Sequence, residues 1–130
     1  MAIITANIGT DNYTTTIRAG NNTIVSDEDA KSGGKDLGLN PMELIAAALG
    51  SCTCITLKMY AQRKEYKLLS VEVKVDFNRD VEANFSNVQR DIVLTGDLTQ
   101  AQKDRLLLIA NRCPVHQTLT HTISISTKIV

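Results

Sequence analysis

Asn40-Pro41-Met42-Glu43-Leu44-Ile45-Ala46-Ala47-Ala48-Leu49-Gly50-Ser51-Cys52, running on through Thr53-Cys54 to Arg63, is the stretch on which the reading of this chain turns. Pro41 suits the first position of a helix, because the backbone N–H it lacks would have no intrahelical partner there. No further Pro follows before Arg63, and residues 44–49 are apolar on nearly every side. A helix without a polar face is a buried one. A chain of 130 residues has little to bury it with, so a second subunit is expected to cover part of it. Polarity returns at Lys58, Gln62, Arg63 and Lys64, where the helix should surface.

Upstream, two β-prone segments, 13–17 and 23–26, flank Ala19-Gly20-Asn21-Asn22, the composition of a tight hairpin turn. Residues 27–40 are polar, contain Gly33, Gly34 and Gly38, and read as a long loop. Downstream, Val71, Val73, Val75 and Phe77 alternate with polar residues, which predicts a strand with one buried face. A further strand is expected over 87–95, carrying Val88, Ile92, Val93 and Leu94. Thr99 and Gln102 have capping-box spacing before a helix through Leu106–Ala110. That helix should break near Cys113-Pro114, and Ile123, Ile125 and Ile129 predict a closing strand. Helices and strands are segregated, so the class is α+β, in one domain spanning 1–130.

Composition narrows the function. Lys plus Arg and Asp plus Glu number 14 each, so the formal charge is zero and no basic stripe is visible along the sequence. Phosphate neutralisation supplies most of the affinity of duplex-binding domains; neither nucleic acid nor an anionic membrane surface is the expected partner. Residues 1–8 lack the basic region and apolar run of a secretory leader. The unbroken apolar run 44–49 is far short of the ~20 residues that cross a bilayer. A cytoplasmic location is therefore expected. Three cysteines are an odd count and too few for a disulfide-stapled secreted domain.

Two of those cysteines stand in suggestive settings. Cys52 lies mid-helix beside Gly50, Ser51 and Thr53, residues that leave room around a sulfur and offer hydrogen bonds. It reads either as a small core residue or as a reactive thiol. In Arg112-Cys113-Pro114-Val115-His116, Pro114 can open a short helix and so put Cys113 at its N-cap. The N–H groups and dipole there favour an anion, the condition for a reactive thiolate. The alternative is a structural cysteine at a helix break. Cys54 lies about 200° around the helix from Cys52, cannot share a ligand with it, and reads as packing. Cys113-x-x-His116 has a spacing seen in zinc sites, but a second ligand pair is missing. No G-x-S-x-G elbow and no phosphate-cradling glycine pattern is present.

Residues 40–52, followed by Met59-Tyr60-Ala61 and later by Cys113-Pro114-Val115-His116, resemble the OsmC/Ohr family, over roughly Tyr13 to Lys128. The resemblance implies an intertwined homodimer whose antiparallel sheets wrap a pair of long central helices. It also implies thiol-dependent reduction of hydroperoxides in oxidative stress defence, with Cys52 as the peroxidatic nucleophile and Cys113 as the resolving thiol. An external dithiol, of lipoyl type in the family, would restore both thiols; no metal or other cofactor is implied. The pattern departs at Met42, where strongly active members carry Glu paired with an Arg from an amino-terminal loop. Glu43, one residue later, and Arg18, the only Arg before the helix, are the candidates for that pair. Met42 also leaves open a different module, one that binds a small apolar or thiol-reactive ligand with little peroxidase activity.

Overall fold

The structure, a computed structural model, describes residues 2–130; Met1, where the reading of the amino terminus begins, lies outside them. The described residues form two compact units, one up to Ile45 and one from Ala46.

The first unit is a three-stranded antiparallel sheet in the order β1-β2-β3, comprising β1 (Thr5–Ile8), β2 (Thr15–Ala19) and β3 (Asn22–Ser26). β2 and β3 form the expected hairpin, with Ala19 opposite Asn22. Gly20 takes φ +58° at the first central position of its turn, where a side chain would be strained. β1, which the sequence reading did not place, adds to the free edge of β2. The loop after β3 is ordered by one carboxylate. Asp27, 2% exposed, accepts at Oδ1 from the backbone N–H of Tyr13 (3.2 Å) and Glu28 (2.8 Å). Its Oδ2 accepts from Lys35 (3.2 Å) and Leu37 (3.3 Å). Burial works against the charge, but these four donors outweigh it and hold the carboxyl below its usual range. Gly34 is required inside this turn, since a Cβ there would run into the Glu28 carbonyl. An amide can serve only one of the two donor pairs. Asp27→Asn is therefore expected to speed hydrogen exchange at either Tyr13 and Glu28 or Lys35 and Leu37, with little change elsewhere in the sheet.

The second unit holds the long helix, a hairpin and two shorter helices. α1 runs Pro41–Arg63, as Pro41 predicts, and its first turn belongs to the first unit. It is not buried all round. Its buried residues are Leu49, Thr53, Leu57, Tyr60 and Ala61, a single stripe, whereas Ile55 and Met59 are 56% and 65% exposed. A single chain supplies only one wall for this helix, which is why the apolar remainder lies open. By length and composition α1 is apolar enough to cross a membrane. Counting the unbroken apolar run missed this, because the small residues 50–54 interrupt the run without adding charge. Its inward stripe is nevertheless tied to protein: Leu57, Tyr60 and Ala61 join Leu68, Leu106, Ile109 and Ala110 in one core cluster.

β4 (Lys67–Asp80) and β5 (Phe85–Asp97) form a long antiparallel hairpin. A bulge at Leu69 separates the Leu68↔Gly96 pair from Ser70↔Thr95. It lets Leu68 and Val71 both face the core, while Leu69 points outward, 74% exposed. α2 (Gln100–Ala110) starts on the predicted capping box, with Thr99 Oγ1 accepting from Gln102 N (3.1 Å) and Gln102 Oε1 from Thr99 N (3.0 Å). α3 (Pro114–Thr120) follows. The closing strand is not formed: residues 122–130 belong to no ladder. Ile125 and Ile129 are 85% and 101% exposed. A strand is held by ladder bonds to a neighbour, and residues 122–130 pair with none of the five strands described.

Candidate functional site

Cys113 has the environment its sequence setting suggests. It caps α3 with extended backbone, followed by Pro114 at the first helical position, and is fully buried. Its Sγ accepts from the His116 backbone N–H at 3.3 Å. Arg90 Nη1 lies 4.0 Å from the same sulfur, and a guanidinium can only donate. Thr53 Oγ1, on α1, is also 4.0 Å away. The single hydroxyl hydrogen of Thr53 goes to the Leu49 carbonyl at 2.7 Å. In its contact with Thr53, therefore, the thiol of Cys113 is the donor.

Arg90, which sequence reasoning passed over, organises this corner. Nη1 donates to Thr53 Oγ1 (3.0 Å) and to the Ala110 carbonyl (3.2 Å). Nη2 donates to Asn111 Oδ1 (2.9 Å) and faces His116 Nδ1 at 3.3 Å. One side chain on β5 thus ties α1 to the end of α2 and the start of α3. The signal was present in the strand: Val88, Arg90, Ile92 and Leu94 are the partly buried positions of β5, so a charge stands in phase with an apolar face. Such a charge is costly unless it is fully paired. Because Arg90 cannot accept a hydrogen bond, His116 Nδ1 must carry the lone pair and Nε2 the proton. Burial, and next the Arg90 charge, hold the His116 imidazole below its ordinary 6.5.

Cys52 is half-buried and its thiol is free, as are those of Cys54 and Cys113. The residue set against Cys113 is its chain neighbour Thr53, one position and about 100° further around the helix. Ala48, Cys52, Ile55 and Met59 are spaced 4, 3 and 4 apart on α1, the spacing of a stripe that packs against another helix. Cys54 Sγ lies 3.8 Å from the Val71 carbonyl, facing β4. Glu43 forms a capping box with Asn40: Asn40 N donates to Glu43 Oε2 (2.9 Å) and Glu43 N to Asn40 Oδ1 (2.8 Å). Arg18 is exposed on β2, opposite Thr5 and Thr23. Among the described residues it forms no ion pair with Glu43, and no cluster of potential metal ligands is present.

Beside this corner is a cavity of about 690 Å³, lined by Arg90, Asn111 and His116 among the apolar side chains of Leu49, Phe77 and Leu107. Its size and its mix of a few polar groups with apolar walls suit a small organic molecule. Neither Cys52 nor Cys113 lines it.

The profile of the family described as OsmC-like protein matches residues 33–128. The chain belongs to that family. Among solved structures, the fold is similar to an OsmC-like protein from Mycoplasma pneumoniae at 20% identity, covering 92% of this chain and 86% of that one, with a TM-score of 0.77. It is also similar to an organic hydroperoxide resistance protein OsmC from Legionella pneumophila (22% identity, 92% and 89% covered, TM-score 0.66). The organic hydroperoxide resistance protein OhrB of Bacillus subtilis matches at 22% identity, 92% and 90% covered, with a TM-score of 0.60. No match is found among curated proteins. At these identities the likeness establishes an OsmC-like α+β fold with antiparallel sheets.

Proposed function

We propose that this OsmC-like protein reduces organic hydroperoxides with Cys52 and Cys113, as a homodimer in a reducing cytoplasm. The observation that supports it best is the setting of Cys113. Its buried sulfur is held by the His116 N–H and the Arg90 guanidinium, and it touches the helix residue next to Cys52. Two similar folds belong to proteins named for organic hydroperoxide resistance. In the first step the Cys52 thiolate attacks the terminal peroxide oxygen. The O–O bond breaks, the alkoxide leaves and takes up a proton as alcohol, and Cys52 becomes a sulfenic acid. Cys113 then attacks that sulfur, water leaves, and a disulfide joins the two. A dithiol of lipoyl type returns both thiols by exchange, itself becoming the disulfide. No metal or bound cofactor takes part. Arg18 and Glu43 enter only as residues that a dimer could bring toward Cys52. The capping bond of Glu43 gives it a sufficient local role already.

A second reading is favoured by one observation: the 690 Å³ cavity, with its apolar walls and few polar groups, is lined by neither cysteine. On this reading the chain is a binding module for a small apolar ligand. One experiment separates the two. The protein is treated with one equivalent of cumene hydroperoxide, digested without reductant and mapped by mass spectrometry. A Cys52–Cys113 disulfide is expected; two intact thiols would leave the binding module standing.

A further inference from the structure

Arg90 brings a positive charge into the corner around Cys113 with no negative one to meet it. Its partners are the Thr53 hydroxyl, the Ala110 carbonyl, the Asn111 amide oxygen, a neutral His116 ring nitrogen and the Cys113 thiol. Among the described residues no carboxylate lies within ion-pair distance of it. A guanidinium keeps its charge at any ordinary pH, and a charge withdrawn from water is costly until an opposite one joins it. Of these five kinds of group, only a thiol ionises to an anion in the ordinary pH range. The arrangement is made within one chain. Thr53 and Cys113 are fully buried by it, and Arg90 is fixed mid-strand opposite Val75. Arg112, next to Cys113 in sequence, is exposed and lines a groove between α1 and α2 instead.

The hydrogens of Arg90 are unevenly shared. Nη1 carries two, and three acceptors divide them: Thr53 Oγ1 at 3.0 Å, the Ala110 carbonyl at 3.2 Å and the Cys113 sulfur at 4.0 Å. The oxygens take the larger share while the sulfur is a neutral thiol, which is a weak acceptor. An anionic sulfur reverses that order, because charge-assisted hydrogen bonds are roughly twice as strong as neutral ones. Loss of the thiol proton therefore draws Nη1 from Thr53 to the sulfur, which the His116 N–H already meets at 3.3 Å.

We propose that Arg90 is the catalytic residue of the resolving step, supplying the counter-charge as the Cys113 sulfur gives up its proton to bond oxidised Cys52. The inference rests on the reading of Cys113 as the resolving thiol. In that step the Cys113 sulfur loses its proton and forms the S–S bond with its electron pair. The S–O bond of the Cys52 sulfenic acid breaks, and the departing hydroxide takes up a proton as water. Cys113 is oxidised, the sulfenic sulfur is reduced, and no further reagent is consumed. Negative charge grows on a sulfur beside a guanidinium already in place, so little reorganisation is needed. Peroxide attack at Cys52 makes no such demand, since no bond of Arg90 reaches that residue.

Rapid quenching after one equivalent of cumene hydroperoxide separates the two steps. Dimedone adducts at Cys52 report the sulfenic acid, and peptide mapping of parallel samples reports the Cys52–Cys113 disulfide. All proteins are kept in sucrose, which favours the folded state and adds no charge. Arg90→Gln retains an N–H donor and removes the charge. It is expected to slow disulfide formation about tenfold or more, while sulfenic acid forms within about twofold of the wild-type rate. Arg90→Lys returns a cation and should recover most of that loss, which a merely structural role would not predict. Thr53→Val keeps the volume and frees an Nη1 hydrogen for the sulfur. It should resolve at least as fast as wild type, and it keeps the test decisive if Arg90→Gln does not fold. The inference is overturned if Arg90→Gln resolves as fast as wild type, slows both steps alike, or is no slower than Arg90→Lys. A Thr53→Val protein that resolves more slowly than wild type also overturns it, since the hydroxyl would then be the group acting on the sulfur. Wild type that forms the sulfenic acid but no Cys52–Cys113 disulfide is a separate result: it removes the resolving-thiol reading, and the role of Arg90 with it.

Discussion

Cys52→Ser is expected to lower the rate of cumene hydroperoxide consumption, measured with a lipoyl dithiol, by about two orders of magnitude or more. A serine hydroxyl in the same place is neither ionised near neutral pH nor able to take up oxygen as sulfur does. Cys113→Ser should behave differently. Its first turnover should proceed, leaving a sulfenic acid that dimedone traps, while later turnovers slow because no internal thiol condenses with it. Cys54→Ser should change neither step, since that thiol faces the Val71 carbonyl. A Cys52→Ser protein as fast as wild type would end the peroxidase reading, although the family assignment would stand.

Replacing Arg90 by Met should have the largest effect on stability of any single change near the site. Met keeps the length and the apolar stem but donates nothing. Thr53, the Ala110 carbonyl, Asn111, His116 and the Cys113 sulfur all lose a partner in this partly buried corner. Hydrogen bonds to a charged group contribute about 1.5–3 kcal/mol each and do not add. A loss on the order of 3 kcal/mol is expected in urea melts. The same variant reports on His116 by NMR titration: with the neighbouring charge gone, the ring should titrate closer to 6.5, though not fully there, because burial is the larger cause. The folded chain binds this proton less readily than the unfolded chain. The penalty is therefore absent above 6.5 and grows as pH falls through the lower, folded value. Wild type should lose stability across that window, and Arg90→Met should lose less of its own.

Much of this was legible in the residues, for local reasons. Pro41, the Thr99/Gln102 pair and Cys113-Pro114 each mark a helix start through bonds made within four residues, and all three are where the sequence puts them. Alternation over 71–78 marked β4 because its pleat decides what is buried, and the Val, Ile and Leu content of 87–95 marked β5. Three features that depend on distant partners were not legible. β1 exists because β2 has an edge to offer, residues 122–130 pair with no strand, and α1 is open where nothing in this chain covers it. Arg90 falls between the two cases. Its phase on the strand was readable, but its five contacts come from segments 20 or more residues away.

The Leu69 bulge carries an implication for chain length. Gly96, at φ +144°, lies opposite Leu68, where a Cβ would run into the Lys67 carbonyl. Beyond the extra residue the pairing resumes at Ser70↔Thr95 as though nothing had been inserted. Excising Leu69 would leave Leu68, Ser70 and Val71 in simple in–out–in order, with the rest of the hairpin in unchanged register. Excising any residue from Glu72 to Asp76 would instead turn the valines before the cut from the core face to solvent. The hairpin thus holds one site at which a single-codon deletion is structurally silent, flanked by a run in which it is not.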